Sequence, residues 1–354
     1  MSDSVAAVTD QIGRDLGHTV SVVIPVYRGA STLEGVVAEL APFFDSVQTP
    51  DGHLLTVTEV LLVHDAGPDD SDVVIRELAE RFDQVRALWL SRNFGQHAAT
   101  LAGMASSGSD WIVTMDEDGQ HDPSAIPRFL DVAMLERAAV VYADPTNEPP
   151  HGFMRNIASR TSKRLVASLA PKTPVGSFQS YRFVLGEVGR SVAAYAGAGV
   201  YLDIAMSWVT ARVATCPVEL RTEGDRPSGY SGRTLLSHFW RLVLSSGTRG
   251  LRLVSLMGVT FAAFGVALAI YALVGTLLGG TNERGWASMM VMLCLGVGAI
   301  LFALGVVAEY VGVAVNMAMG RPLYYIGNDP AHGPWSRRPI GAPAAEPVAP
   351  ARES

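Results

Sequence analysis

The chain has 354 residues, of which 49% are hydrophobic and 17% charged, and its formal net charge is −7 at pH 7. The negative charge gives no indication of a nucleic-acid partner, and the two cysteines, Cys216 and Cys294, provide neither a disulfide framework nor a zinc spacing. Residues 1–18 carry three aspartates and no apolar core. We therefore expect a flexible N-terminus there rather than a signal peptide, with the main body in the cytoplasm.

Apolar or β-branched runs predict five strands in the first part of the chain. They are Thr19–Tyr27, Glu59–His64, Val85–Leu90, Trp111–Met115 and Ala138–Tyr142. Helices are predicted between them, the first beginning at a capping box formed by Ser31 and Glu34. Strands that alternate with helices predict an α/β domain with a doubly wound, mostly parallel sheet.

Three acidic residues, Asp116, Glu117 and Asp118, directly follow the strand over Trp111–Met115. Asp122-Pro123 then predicts a helix N-cap with proline at the first helical position. The acids therefore lie at the carboxyl end of a strand, where open α/β sheets bind ligands. Two carboxylates one residue apart can share Mg²⁺ or Mn²⁺ together with substrate phosphate oxygens. A solvated acidic loop with a helix cap is the alternative.

Two more side chains at strand ends are candidate ligand contacts. Asp65 follows the second strand, where a carboxylate can accept a hydrogen bond from a base N–H or a ribose hydroxyl; the alternative is a turn-forming aspartate. Arg92 follows the third strand, and arginine is a planar multi-donor cation that suits phosphate. An exposed arginine in a helix-capping loop is the competing interpretation.

Two uncharged stretches, Leu253–Leu278 and Ala287–Ala308, are each long enough to cross the hydrocarbon layer of a bilayer, which is about 30 Å thick. We predict transmembrane helices over 253–278 and 287–312, joined as a hairpin. Arginines flank the hairpin on one side, so the positive-inside rule places both ends in the cytoplasm.

The segment before this hairpin is rich in arginine. Residues 226–282 contain five arginines and no acidic residue. Apolar residues recur there on one helical face, which predicts an amphipathic juxtamembrane helix over 232–252 on an anionic bilayer. A helix packed on the catalytic domain is the alternative. Residues 313–354 are predicted to be a cytoplasmic tail, disordered in its Pro/Ala-rich end.

The pattern Asp116-x-Asp118-x-Gln120-His121-Asp122-Pro123 resembles the metal motif of family 2 glycosyltransferases. The element Ser91-Arg-Asn-Phe-Gly95 and the later runs Glu309-Tyr310 and Gly320-Arg321-Pro322 are similar to the polyprenyl-phosphate branch of that family, which includes dolichol-phosphate mannose synthase and the bactoprenol glucosyltransferases. The resemblance covers roughly residues 20–326. The chain departs from the family at Arg28-Gly29 and at His64, where other residues are usual.

This resemblance implies a GT-A type domain over residues 19–231. It implies transfer of one sugar, with inversion, from a nucleotide-diphosphate sugar to polyprenyl phosphate. Asp118 and Asp116 would hold Mg²⁺ or Mn²⁺. The implied catalytic and acceptor-phosphate residues are Asp116, Asp118, Gln120, Arg92, Arg221 and Arg226. The implied donor-binding residues are Pro25, Tyr27, Asp65, Asp116, Ser228 and Tyr230.

Two other functions remain open at this point. A family 2 enzyme acting on a sugar hydroxyl would need a carboxylate base, for which Asp203 is the candidate. A degenerate, non-catalytic membrane scaffold is the second. We expect a multi-pass protein of the inner (plasma) membrane, with the lipid bilayer as a partner. The small hairpin anchor is also compatible with self-association. Neither the sugar nor the nucleotide base follows from the sequence.

Overall fold

The computed structural model describes residues 17–147, 178–197, 201–221, 258–260, 263–267, 270, 274, 285–319 and 322–332. Nine strands of these residues form one sheet. The strands are β1 (His18–Val26), β2 (Val47–Gln48), β3 (Leu54–His64), β4 (Val85–Leu90), β5 (Trp111–Thr114), β6 (Val140–Pro145), β7 (Arg182–Leu185), β8 (Val213–Val218) and β9 (Ile326–Gly327). The helices are α1 (Leu33–Leu40), α2 (Ser71–Arg81), α3 (Gln96–Ser106), α4 (Ile126–Glu136), α5 (Gly186–Tyr195), α6 (Leu202–Val209) and α7 (Trp286–Ala318).

The strand order is β8-β6-β7-β5-β1-β3-β4-β9, with β2 paired to β3 outside this path. Strands β5, β1, β3 and β4 run parallel to one another, as do β6 and β8. Strand β7 is antiparallel to both of its neighbours, and the short strands β2 and β9 are also antiparallel to theirs. The predicted doubly wound, mostly parallel sheet is therefore confirmed, and the antiparallel strands β7 and β9 add to it.

The sheet is buried on both faces, which explains why its central strands are continuously apolar. Successive side chains of β1 alternate between the two faces: Val22 and Ile24 belong to one core cluster and Val23 to the other. On the second face α3 lies very close to the sheet. A Cβ added to Gly103 would lie 2.3 Å from Cγ1 of Val23, so this position requires glycine.

The first helix begins later than predicted. Helix α1 starts at Leu33, its N-cap is Thr32, and no side chain caps it. A turn precedes it, in which the Gly29 carbonyl accepts from the Thr32 and Leu33 amides at 2.9 and 3.0 Å. The predicted capping box is wrong, because the backbone turn at Gly29 leads into the helix and Thr32, not Ser31, is the N-cap. The Glu34 side chain accepts from Arg81 at 3.0 Å.

Helix α7 contains the one segment among the described residues that is long and apolar enough to cross a membrane, Leu295–Val315. Only 6% of its most apolar window is buried, unlike the core helix of a soluble protein. It overlaps the second predicted span and continues past residue 312 to Ala318. Of the first predicted span, 253–278, only isolated helical residues are described, so a hairpin stays a prediction; the predicted juxtamembrane helix, 232–252, lies outside the described residues.

Candidate active site

The carboxyl ends of β1 and β5 open onto a cavity of about 310 Å³. Asp116 and Pro25 line it where the two strands end, and Gln96 of α3 closes one side. Ser180, Arg182 and Asp203 also line it, together with Phe178 and Tyr201. The predicted position of the acidic turn, at a ligand-binding edge of the sheet, agrees with this arrangement.

The carboxylate of Asp116 is held by two neutral side chains. Its Oδ1 accepts from the Gln96 amide at 2.6 Å, and its Oδ2 accepts from the Ser180 hydroxyl at 2.6 Å. These partners come from α3 and from the segment before β7, so two distant parts of the chain meet at this carboxylate.

His121 supports Asp116 from behind and was not among the predicted site residues. Its Nδ1 accepts from the Asp116 backbone amide at 3.0 Å, and its ring stacks on Tyr181 with centroids 4.6 Å apart. Burial lowers the pKa of His121, which favours the neutral ring. Because Nδ1 is an acceptor, the ring proton lies on Nε2, which is 3.8 Å from Asp116 Oδ2.

Asp118 and Gln120 form a closed turn with each other. Asp118 Oδ1 accepts from the Gln120 backbone amide at 3.0 Å, and Oδ2 accepts from the Gln120 side-chain amide at 2.9 Å. The turn passes through Gly119 with φ +76°, a conformation that glycine adopts readily. In these two contacts the partners of the Asp118 carboxylate are neutral amide groups of Gln120.

The middle acid of the turn has a different environment. Glu117 accepts from the backbone amides of Tyr27 and Arg28 at 2.8 and 3.0 Å, which fixes the loop after β1. Burial raises the pKa of Glu117 against the lowering effect of these amides. Of the three adjacent acids, Glu117 therefore fixes the neighbouring loop and Asp116 lines the cavity, whereas Asp118 lies in the same turn but not in the cavity lining. No pattern in the sequence separates this role of Glu117 from those of its neighbours.

Asp65 also binds backbone. It is 3% exposed, and its two oxygens accept from the Phe94 and Gly95 amides at 2.7 and 2.8 Å. Burial raises the pKa of Asp65. The carboxylate thereby holds the loop between β4 and α3, which carries Arg92. The exposed Arg92 guanidinium lies 4.0 Å over the Phe94 ring and donates to the Asn93 carbonyl at 3.3 Å.

Arg221 lies directly beside the acidic turn. Its backbone amide donates to the Gln120 carbonyl at 3.1 Å. Its guanidinium contacts Asp122 at 3.3 Å and both oxygens of Glu39 at 2.7 and 2.8 Å. Three other predicted site residues, Arg226, Ser228 and Tyr230, lie outside the described residues. Tyr27, predicted to bind donor, has a partly exposed ring, with the Arg28 guanidinium 5.6 Å from its centroid.

A buried ion pair forms part of the cavity wall. Arg182, 4% exposed, donates to Asp203, 2% exposed, at 2.6 Å, and the Tyr142 hydroxyl donates to the same carboxylate oxygen at 3.0 Å. The sequence singled out Asp203 as a candidate base but did not reveal its partners, because they lie on strands far away in the chain. The ion pair favours the charged carboxylate, whereas burial, the larger effect, raises the pKa of Asp203.

Comparison with known proteins agrees with this site. Residues 21–183 match the family model "Glycosyl transferase family 2". The chain is 28% identical over 316 residues to the undecaprenyl-phosphate 4-deoxy-4-formamido-L-arabinose transferase of Edwardsiella ictaluri, covering 87% of this chain and 93% of that protein. It is 29% identical over 321 residues to the enzyme of the same name from Klebsiella pneumoniae subsp. pneumoniae, covering 87% and 92%.

Among solved structures, mannosyl-3-phosphoglycerate synthase from Rubrobacter xylanophilus is similar with a TM-score of 0.49 and 15% identity, over 70% of this chain and 77% of that chain. The family match begins within β1 and extends into β7, so it includes the acidic turn and both strands that end at the cavity. The chain is therefore a glycosyltransferase that resembles family 2 enzymes over residues 21–183.

Proposed function

We propose that this enzyme transfers one sugar from a nucleotide-diphosphate sugar to a polyprenyl phosphate on the cytoplasmic face of the inner membrane, with inversion at the anomeric carbon. The observation that carries the proposal is the extent of the likeness to the two undecaprenyl-phosphate sugar transferases. It covers 87% of this chain, whereas the family 2 match ends at residue 183. The likeness therefore continues well into the half of the chain that contains α7.

The chemistry of a phosphate acceptor suits the charged groups around the cavity. A phosphate monoester has its second pKa near 6, so it is largely ionised at neutral pH and needs no general base. One of its oxygens forms a bond to the anomeric carbon while the bond from that carbon to the diphosphate oxygen breaks. The nucleoside diphosphate leaves with the bonding electron pair, and a single displacement of this kind inverts the configuration.

A sugar-hydroxyl acceptor is supported less well. It would need a carboxylate to take the hydroxyl proton, and Asp203 is the candidate at the cavity wall. That carboxylate already accepts from Arg182 and Tyr142 and is 2% exposed. A base in this position would have to give up a buried ion pair, which costs several kcal/mol.

The acceptor phosphate requires positive charge, for which we propose Arg92, Arg221 and Arg226. Of the two of these arginines that the structure describes, Arg92 is the more open to a new anion, because its guanidinium is exposed and its described contacts are with a ring face and a carbonyl. Arg221 is bound to two carboxylates, and in this position its charge also orients the loop that carries Gln120.

The residues of the acidic turn fit a divalent cation. Asp116 and Asp118 offer hard oxygen ligands, and the contacts of their carboxylates described above are with neutral amides and a hydroxyl, which a cation can replace. The described residues contain no cluster of three or more His, Cys, Asp or Glu side chains that could hold a metal. Mg²⁺ or Mn²⁺ would therefore be held by one or two carboxylates, with substrate phosphates supplying further oxygens. When bound, the cation would neutralise charge on the leaving diphosphate.

For the donor nucleotide we propose contacts with Pro25, Tyr27, Asp65, Ser228 and Tyr230, with Gln120 assisting Asp116 in placing the donor. For the bilayer we propose α7 as one span and residues 253–278 as the other, with the amphipathic segment 232–252 in the headgroup layer. The mostly exposed apolar side chains of α7 support its contact with lipid, and they also leave room for self-association.

The test is mass spectrometry of lipid products after incubating the full chain in liposomes with a panel of nucleotide sugars and polyprenyl phosphate. We expect one sugar to be added to the phosphate group with some member of the panel. The same donors with a lipid-linked oligosaccharide form the comparison. Transfer only to the oligosaccharide would favour a hydroxyl acceptor and would contradict the proposal.

A further inference from the structure

The segment that follows α7 returns to the sheet beside the loop between β4 and α3. Strand β9 pairs antiparallel with the end of β4, placing Ile326 opposite Leu90 and Gly327 opposite Trp89. The pairing continues into the loop, since the Ser91 amide donates to the Tyr325 carbonyl at 3.1 Å. A part of the chain more than 230 residues away in sequence therefore forms the edge of the sheet next to Arg92.

A charged contact fixes this segment on the domain. Asp329 accepts from Nε and Nη2 of Arg76 in α2 at 2.8 and 2.9 Å, and from the Ala331 amide at 2.9 Å. The Arg76 guanidinium also lies 4.9 Å from the centroid of the Trp89 ring, which belongs to β4. A two-point arginine–carboxylate contact sets orientation as well as attraction. Arg76, Trp89 and Asp329 thus hold β9 in register with β4.

Apolar packing acts on the same loop. Leu323, Tyr324 and Ile326 pack against the core cluster of the second sheet face, and so does Phe94, over whose ring Arg92 lies. The loop itself is fastened at three places: Ser91 to Tyr325, Phe94 and Gly95 to Asp65, and Gln96 to Asp116. Its position at the cavity therefore depends on the returning segment at one end and on the acidic turn at the other.

We propose that residues 322–329 position the loop Ser91–Gln96 for acceptor binding, with Asp329 and Arg76 as positioning residues that act through Arg92. This inference rests on the proposed function, in which Arg92 meets the acceptor phosphate. It gives the segment after α7 a role in the active site. Neither Asp329 nor Arg76 contacts the cavity, so their effect reaches the reaction only through the loop.

The test uses the full chain in lipid nanodiscs and compares Asp329→Asn with wild type. Arg76→Gln removes the same pair from the other side, together with the contact of Arg76 with Asp72 at 2.9 Å, and serves as the second variant. The matched control is Arg81→Gln on the same helix, which removes the exposed ion pair of Arg81 with Glu34. Two quantities are measured: amide hydrogen exchange across residues 89–97, and the KM values for donor and acceptor together with kcat.

We expect amide exchange at Ser91, whose N–H donates to the Tyr325 carbonyl, to become about tenfold faster in both variants, as for the loss of one charge-assisted contact. The acceptor KM should rise about two- to fivefold, because apparent affinity falls with the fraction of molecules in the competent conformation. The donor KM and the control variant should match wild type.

Unchanged exchange in the loop would overturn the inference, as would faster exchange with unaltered kinetics. Exchange that accelerates in β1 and β5 while residues 89–97 exchange as in wild type would also overturn it, since the pair would then stabilise the fold without holding the loop. If wild type failed to glycosylate polyprenyl phosphate, the proposed function would fail, while the exchange measurement would still decide whether the segment holds the loop.

Discussion

Replacing Asp118 by asparagine should nearly abolish transfer while leaving the fold intact. The two contacts of its carboxylate described above come from Gln120 in the same turn, and an asparagine oxygen can still accept from the Gln120 backbone amide. The cost in the free energy of unfolding should therefore stay near 1 kcal/mol or less. Loss of a charged metal ligand should lower kcat by about 100-fold or more, equivalent to roughly 2.7 kcal/mol of transition-state stabilisation.

The matched control is Asp110→Asn, at the opposite end of β5. Asp110 accepts from the backbone amide and the hydroxyl of Thr19 at 3.0 and 2.8 Å. These contacts lie at the amino ends of β1 and β5, whereas the cavity lies at their carboxyl ends. It should lose a similar amount of stability with normal kcat. Both variants are assayed for transfer in liposomes across a Mn²⁺ titration and for thermal unfolding. Normal activity in Asp118→Asn, or full wild-type activity in excess EDTA, would refute the metal assignment.

Three further predictions concern the ion pairs and the membrane. Asp203→Asn should cost about 3–5 kcal/mol in unfolding free energy because it leaves the Arg182 charge buried without its carboxylate, and the double variant Arg182→Met/Asp203→Leu should cost less; equal losses in denaturant titrations would contradict this. The Arg76 contact lowers the pKa of Asp329. The stabilisation from this contact is therefore present above the ordinary aspartate pKa of about 4 and is lost as the pH falls below that value. Asp329→Asn should flatten the acid limb of a plot of unfolding temperature against pH, and an unchanged limb would refute the linkage. Replacing the three predicted juxtamembrane arginines Arg233, Arg241 and Arg249 by glutamine should raise the acceptor KM in anionic liposomes, since each cation contributes about 1 kcal/mol to docking. Wild-type KM values at every lipid composition would instead indicate that this segment is a helix packed on the catalytic domain.

The parallel half of the sheet was predictable because its signals are local. Each of its strands is an apolar run that ends in turn residues, and β4 has the predicted bounds, Val85–Leu90. The position of Asp116 and Asp118 followed directly from the end of β5. The N-cap at Asp122 is confirmed as well: it precedes the short 3₁₀ helix Pro123–Ala125 that leads into α4, and its side chain accepts from the Ser124 amide at 2.9 Å.

The antiparallel strands were not predictable in the same way. Strand β7 has four residues and β9 has two, so neither shows an interpretable alternation of polar and apolar residues. Their places depend on pairing with strands that are far away in sequence, and single-sequence periodicity contains no information about such partners. For the same reason the residues after α7 were assigned to a tail, although Ile326 and Gly327 complete an edge of the sheet.

Five carboxylates surround the candidate site, and their partners divide them into two groups. Asp65 and Glu117 bind backbone amides, and Asp203 binds a buried arginine and a tyrosine. Loss of the amide contacts would release a loop, and loss of the arginine contact would leave a buried charge without its partner. Asp116 and Asp118 bind neutral side chains, together with one amide of their own turn in the case of Asp118. A cation can replace such partners at small cost, because amide and hydroxyl groups find other hydrogen bonds in water. Asp65, Glu117 and Asp203 thus differ from Asp116 and Asp118 in the described partners of their carboxylates, which the spacing of acids in the sequence does not reveal.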